Sequence, residues 1–287
     1  MNTSKLCAIT GTSGYLGGRL KDAVQKAGWQ VLDLNRRPGI GSQTKTFKLG
    51  DDVAPDTLAG VHALVHAAYD FKQLSWADIQ ATNVAGSETL FDAAKKASVE
   101  KIVYISSISA FEGCRSLYGK AKLETERIAL SFGAAVVRPG LVWGAPTGAM
   151  MAKLREQVQK SRFQPLMGGG RQIQYLVHHE DIGEFVYGCI ENRVSRPAKP
   201  VTIAHEQPWT FRQVLEEIAR VKGKRLTFIP LPWRLVWLAI KTAETVGVRL
   251  DFRSDSLVSL MYQNPSPSFA EQRALGISPR AFDPRNL

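Results

Sequence analysis

Cysteine is scarce in this chain of 287 residues. Cys7, Cys114 and Cys189 are the three it has, an odd number at scattered positions, with no pair at metal-ligand spacing. That usage argues against a disulfide scaffold and a cysteine-built metal site, and it suits a reducing, cytoplasmic setting. The opening MNTSKLCAIT lacks a basic region followed by a long apolar run, so no secretory signal is expected. Long uncharged apolar runs are lacking too: Pro230 to Val248 is apolar on one face but carries Arg234, Lys241 and Glu244, too much charge to span a bilayer. Internal repeats and low-complexity segments are absent.

Basic residues, by contrast, are in excess, giving a net charge of +11. Nucleic acid, an anionic membrane surface or a phosphorylated small ligand would each suit that charge. No basic stripe interleaved with aromatics and no nucleic-acid motif accompanies it, so nucleic acid is not an expected partner. With 44% hydrophobic and 22% charged residues the chain reads as globular, long enough for one large domain or two small ones.

The stretch from Leu6 to Gly17, LCAITGTSGYLG, organises the rest. It reads as an apolar strand to Thr10, a turn through Gly11, Thr12, Ser13 and Gly14, and a helix from Tyr15 and Leu16 to about Lys26. Gly11 permits the turn, Gly14 keeps a side chain out of the way of a pyrophosphate, and Gly17 lets helix and strand pack closely. The free N–H groups and positive dipole end of the helix then face an anion. With this spacing, TGTSGYLG resembles the fingerprint of the extended short-chain dehydrogenase/reductase superfamily, also called the NAD-dependent epimerase/dehydratase family.

The end of the second strand, Asp33-Leu34-Asn35-Arg36-Arg37, bears on which dinucleotide is bound. In the family, the position of the acid that holds the ribose of NAD falls on Asn35, and Arg36 follows; Asp33 stands two residues early. A carboxylate is missing where it would repel a 2′-phosphate and a guanidinium is present where it would bind one, so NADP is expected over NAD, with NAD left open.

The fifth strand, Lys101 to Ile105, delivers Ser106-Ser107, and Tyr118-Gly119-Lys120-Ala121-Lys122 opens a helix. Tyr118 and Lys122, four residues apart, share one face. Exchanging hydride at a carbinol carbon needs a partner for the hydroxyl proton. A tyrosine with a neighbouring ammonium can be that partner at a pKa below its free value, while a serine hydroxyl orients the substrate oxygen. Ser107, Tyr118 and Lys122 are therefore the catalytic candidates, with Ser109 in reserve for the serine.

The resemblance implies further positions. Asp51, after Gly50, corresponds to a residue beside the adenine. Ala67 and Ala68 lie where the family's chain passes the cofactor, and His66 before them reads as structural rather than catalytic. Asn83, within a helical run from Trp76 to Ala97, corresponds to an asparagine supporting the active-site helix. Pro139 and Val142, in Arg138-Pro139-Gly140-Leu141-Val142-Trp143-Gly144, fall where the backbone passes the nicotinamide. Asp181 reads as a helix cap. Gln174 stands where nucleotide-sugar epimerases commonly carry a pyrophosphate-binding arginine, for which Arg171 could substitute.

The implied architecture is an α/β doubly wound parallel (Rossmann) sheet with a small C-terminal substrate-binding domain: residues 1–144 for the dinucleotide, 145–287 mainly for substrate, with segments around 176–204 returning to the sheet. Within it, Pro230 to Val248 reads as substrate-domain core, and the alternative is a helix lying in a membrane interface. The implied function is NADP-dependent oxidoreduction of a carbinol/carbonyl pair in a small molecule, with a keto-sugar nucleotide first among substrates. Nucleotide-sugar epimerisation, reduction of a steroid-like or flavonoid-like ketone, and a non-catalytic NADP-binding regulator are the alternatives. No metal is expected, and a homodimer stays open.

Overall fold

The computed structural model describes residues 5–37, 43–54, 56–144, 150–248, 250 and 252–287. Among them, β1 (Leu6–Thr10), β2 (Gln30–Asn35), β3 (Thr44–Thr46), β4 (Ala63–His66), β5 (Lys101–Ile105) and β6 (Ala135–Pro139) join Val201–Ile203 in one seven-stranded parallel sheet. The spatial order is Val201–Ile203, β6, β5, β4, β1, β2, β3. The chain thus starts mid-sheet, runs to one edge through β2 and β3, then returns to β4 and proceeds to the other edge. Such a reversal beside β1 opens a crevice beyond the carboxyl ends of the strands.

The strands are buried on both faces, as a parallel sheet covered by helices requires. Cys7 and Ile9 of β1 face Leu20 and Val24 of α1 (Tyr15–Lys26) and Ile182, Phe185 and Val186 of the His179–Ile190 helix. Ala8, pointing the other way, joins Leu90, Phe91 and Ala94 of Gly86–Lys96 and Ala129 of Leu117–Ser131. A separate apolar cluster builds the C-terminal layer, where Met151, Leu154 and Val158 meet Val214, Leu215 and Ile218. There Thr210 starts the Phe211–Val221 helix with a reciprocal cap, its hydroxyl accepting from Gln213 N at 3.1 Å while Gln213 Oε1 accepts from Thr210 N at 2.8 Å. Phe269 and Gln272 return to the main sheet beyond Val201–Ile203, Gln272 Oε1 accepting from Ala204 N at 2.9 Å.

β3 is short, its ladder running from Asp33–Thr44 to Asn35–Thr46, because β2 ends at Asn35. Several expectations are corrected. The run from Trp76 is not one α-helix: Trp76–Ile79 widens into a π turn over Gln80–Ala85 before Gly86–Lys96. Gly86 there lies so close to the Gly50 backbone that a Cβ would stand 2.5 Å from Gly50 N. Asp181 does not cap its helix. His178 occupies that place, and Asp181 instead accepts from Arg280 Nε at 2.7 Å and Arg280 N at 3.0 Å. The core account of Pro230 to Val248 also fails, because the Trp233–Thr245 helix buries none of its residues.

A close backbone approach lies under the glycine turn. Gly11 holds a left-handed φ of +75°, and a Cβ at Gly17 would stand 2.2 Å from Gly11 O. Gly17→Ala should therefore lower the unfolding free energy by about 1–3 kcal/mol as the helix is pushed off the strand. Urea unfolding of parent and variant measures this, and equal midpoints would contradict the close packing.

Candidate active site

A cavity of about 420 Å³ opens in the crevice. Its floor is the glycine turn, with Gly11, Ser13, Gly14, Tyr15 and Leu16 on one side, Asn35 and Arg36 at the end of β2, and Ala67 and Ala68 after β4. Tyr118 and Lys122 close the far end with Ile105 and Ser106. The absent Cβ atoms make this a cradle for a pyrophosphate, since one at Gly11 would meet Ala68 N at 3.0 Å. Asn35 Oδ1 is buried there without a protein partner, while its Nδ2 donates to Thr12 Oγ1 at 2.8 Å. These residues fit a dinucleotide.

Other predicted positions lie outside the lining. Asp51 is exposed and paired with Lys48 at 2.9 Å, and Lys48 and Leu49 line the cavity instead. Asn83 is buried, its Oδ1 accepting from Asp70 N at 2.7 Å and its Nδ2 donating to Asp70 O at 3.2 Å, so it fixes the loop above the cavity. Pro139 O accepts from Ile108 N at 3.0 Å and so holds the segment after Ser107. Val142 pairs with Val177 in a short ladder. Asp33 is committed to Lys21 at 2.6 Å, and Arg36 stands 3.9 Å from Asp70.

His66 is fully buried and has no opening to a reacting atom. Ser87 Oγ donates to Asn83 O at 2.5 Å and so accepts from His66 Nε2 at 2.9 Å. That leaves His66 Nδ1 to accept from Thr10 Oγ1 at 2.7 Å. Thr10 Oγ1 in turn accepts from Ala67 N and Ala68 N, each at 3.1 Å, which pins the cofactor-side loop. Burial holds the imidazole neutral, its pKa pushed down to about 3.

Lys122 is 3% exposed. Its Nζ donates to Ile105 O at 2.8 Å and lies 4.8 Å from the Tyr104 ring centre and 5.3 Å from that of Tyr69. Burial pushes its pKa down to about 7, against the pull of Glu126 one turn further along the helix. Glu126 is itself buried, accepting from Ser106 Oγ at 2.5 Å and gripped by Arg138 through Nε at 2.8 Å and Nη2 at 2.5 Å. Tyr118 packs edge-on against Tyr69 at 5.0 Å and stacks on Phe71 at 5.6 Å.

The phenol does not titrate below its free value as the sequence reading expected. Burial pushes the Tyr118 pKa up to about 12, only partly offset by its hydrogen bond with the Ser107 hydroxyl. The desolvated Lys122 is turned to a backbone carbonyl and favours its own neutral form. Tyr118 therefore carries its proton throughout the neutral range. Ser107 Oγ also accepts from Ser109 N at 3.1 Å, whereas the Ser109 hydroxyl lies 3.2 Å from Ser259 Oγ in the C-terminal layer.

Sequence reasoning missed Tyr69 and Phe71, which carry no motif, and Asp255. The Asp255 carboxylate accepts from Leu117 N at 2.7 Å and Tyr118 N at 3.0 Å, closing the N-terminus of the Leu117–Ser131 helix from far along the chain. Glu126 had a findable signal, since it follows Lys122 by one turn on the same helix face. Among the described residues no group of three or more His, Cys, Asp or Glu could hold a metal ion.

Comparison with known proteins places this geometry. Residues 7–204 match the family model for the NAD dependent epimerase/dehydratase family. The chain is 27% identical to a 4-hydroxy-2-methyl-3-oxo-4-farnesyl-3,4-dihydroquinoline-1-oxide ketoreductase of Stigmatella aurantiaca, over 61% of each protein. It is 25% identical to a ceramide reductase of Caulobacter vibrioides over 78% of this chain and 73% of that one. The fold superposes on UDP-glucose 4-epimerase of Thermotoga maritima with a TM-score of 0.74 at 17% identity, covering 96% of this chain and 94% of that one.

The lysine's burial has a measurable sign. Folded Lys122 gives up its proton near pH 7 and the unfolded residue near 10.5. Between those values the unfolded chain binds more protons, so stability should rise with pH there, by at most about 1.4 kcal/mol per pH unit for one proton. Below pH 7 the cost of burying the charge is complete. Lys122→Met should flatten that slope in urea unfolding without cofactor; parallel pH profiles for the two proteins would contradict the assignment.

Proposed function

The chain belongs to the NAD dependent epimerase/dehydratase family, as a nicotinamide-dependent enzyme of the extended short-chain dehydrogenase/reductase type, and within it we propose an NADP-dependent reductase of a ketone borne on a bulky apolar molecule. The observation that carries this reading is the placement of Tyr118, a part-buried phenol packed against the rings of Tyr69 and Phe71, with burial pushing its pKa up to about 12. A keto-sugar nucleotide, first in the sequence reading, fits the same chemistry but finds less support. Gln174 is buried in place of a pyrophosphate-binding arginine, with its Nε2 unpartnered by protein, and Arg171 is exposed. The names of the farnesyl-quinoline ketoreductase and the ceramide reductase likewise point to large apolar substrates.

A bound nicotinamide supplies the hydride. The rest falls to the chain's own residues. Backbone N–H groups of the glycine turn and the start of α1 would hold the pyrophosphate, and Arg36 would hold a 2′-phosphate with no carboxylate at Asn35 to oppose it. Lys122 would hold the nicotinamide ribose, the role that the family resemblance assigns to it. Ser107 would orient the ketone oxygen, and Tyr118 would give that oxygen its phenolic proton, leaving a phenolate that recovers a proton from solvent.

Two variants test the reading. Arg36→Ala should weaken NADP binding by about 1.5–3 kcal/mol, the worth of a charge-assisted contact, and leave NAD nearly unchanged; equal losses for both would refute the NADP assignment. Tyr118→Phe should keep NADPH affinity and lower turnover on the order of 10²–10⁴-fold. The assay follows NADPH absorbance with a 3-ketosteroid, a long-chain acyl ketone and a 4-keto nucleotide-sugar. Consumption with the nucleotide-sugar alone, or epimerisation without net loss of NADPH, would overturn the apolar-ketone reading.

A further inference from the structure

The Trp233–Thr245 helix has an apolar face that none of the described residues covers. Leu235 is 65% exposed, Leu238 55% and Val246 71%, and these residues recur at helical spacing along one side. Its other side is seated: Trp233 meets Tyr262 edge-on at 5.7 Å, and Glu244 accepts from Ser254 N at 2.9 Å and Ser254 Oγ at 2.6 Å. The outward apolar face is therefore a fixed feature of a docked helix rather than a frayed end. Val248 and Leu250 extend the exposed surface beyond it.

This surface reaches the mouth of the active site. Arg253 donates to Phe71 O at 2.8 Å and Gln73 O at 2.9 Å, tying the chain after Leu250 to the loop that bears Phe71 and Leu74, both exposed. Phe71 also lines the catalytic cavity and stacks on Tyr118. One side chain thus belongs to both the outer apolar surface and the inner aromatic wall.

We propose that this face docks on an anionic lipid bilayer, with Leu235, Leu238 and Val246 in the headgroup–acyl boundary and the cavity mouth turned toward the membrane. Charge favours this occupant. Arg234 and Lys72 are exposed beside the apolar residues, and Lys241, half-buried on the helix, lies 4.0 Å from its one carboxylate, Glu244, which is turned inward to Ser254. The whole chain carries +11. A second copy laid on this face would bring the same basic residues and the same net charge against it, whereas an anionic surface attracts them. The 13-residue helix is about 20 Å long, and no helix among the described residues is long and apolar enough to cross a membrane. A helix of this kind lies in the interface, where burial of its apolar face and attraction to anionic headgroups act together.

Flotation with phosphatidylcholine vesicles, with and without phosphatidylglycerol, tests the proposal. The intact protein should float with the phosphatidylglycerol vesicles, more strongly at low salt than at high. Leu235→Glu/Leu238→Glu should reduce binding at least about tenfold, the worth of one apolar side chain's burial. Arg234→Gln/Lys241→Gln should reduce the dependence on phosphatidylglycerol. NADPH affinity and circular dichroism should stay at parent values in both variants, showing that they fold. A parent that stays unbound, a double-glutamate variant that binds equally well, or a parent dimer in sedimentation that the glutamates dissolve would each overturn it. Flotation involves no turnover, so its result is independent of the substrate assignment above.

Discussion

Burial of the Lys122 side chain is the constraint around which the site is arranged. An ammonium out of water must be met by polar groups or lose its proton. The fold meets it with the Ile105 carbonyl at 2.8 Å, two aromatic faces and the carboxylate of Glu126 one turn away. Glu126 is then buried too, and it requires Ser106 and Arg138 in turn. The carboxyl end of β5, the Leu117–Ser131 helix and the end of β6 are thereby held in mutual register by one polar chain. Tyr118, on the same helix, inherits its place from that arrangement.

The C-terminal layer is part of the same construction. Asp255 closes the first turn of the Leu117–Ser131 helix, Ser259 meets Ser109, and Arg253 holds the loop that carries Phe71. All three sit on or just before the Ser254–Met261 helix, which also seats the Trp233–Thr245 helix through Ser254 and Glu244. Movement of that layer would therefore reach the phenol through backbone hydrogen bonds and ring stacking, without any change in the sheet. The sheet supplies the floor of the cavity, and the C-terminal helices brace its aromatic wall.

What the sequence made legible was local. The glycine turn is readable because each missing Cβ answers a nearby backbone atom, and Tyr118 with Lys122 is readable because helical spacing places them on one face. Asp255 was not readable, since its bond to the Tyr118 N–H joins elements 137 residues apart and Asp carries no signature for capping at a distance. The π turn over Gln80–Ala85 was hidden because the apolar face through Leu90, Ala93 and Ala94 is one that an unbroken α-helix would also show. The exposed Trp233–Thr245 helix misled because composition shows apolar residues but not which surface covers them. Solvation also separated expectation from outcome at Tyr118: neighbouring charge can be inferred from spacing, but the extent of burial is a property of the whole fold.

That difference bears on the chemistry. With Lys122 pushed down to about 7 and Tyr118 pushed up to about 12, the usual near-equality of the two groups is broken, and the lysine releases its proton first. The pair is then a protonated phenol and, one helical turn away, a lysine near its own midpoint, walled by the rings of Tyr69, Tyr104 and Phe71. The acid role proposed for Tyr118 would start from that protonated phenol. The same burial that costs the fold stability at Lys122 thus decides which of the two groups releases its proton first.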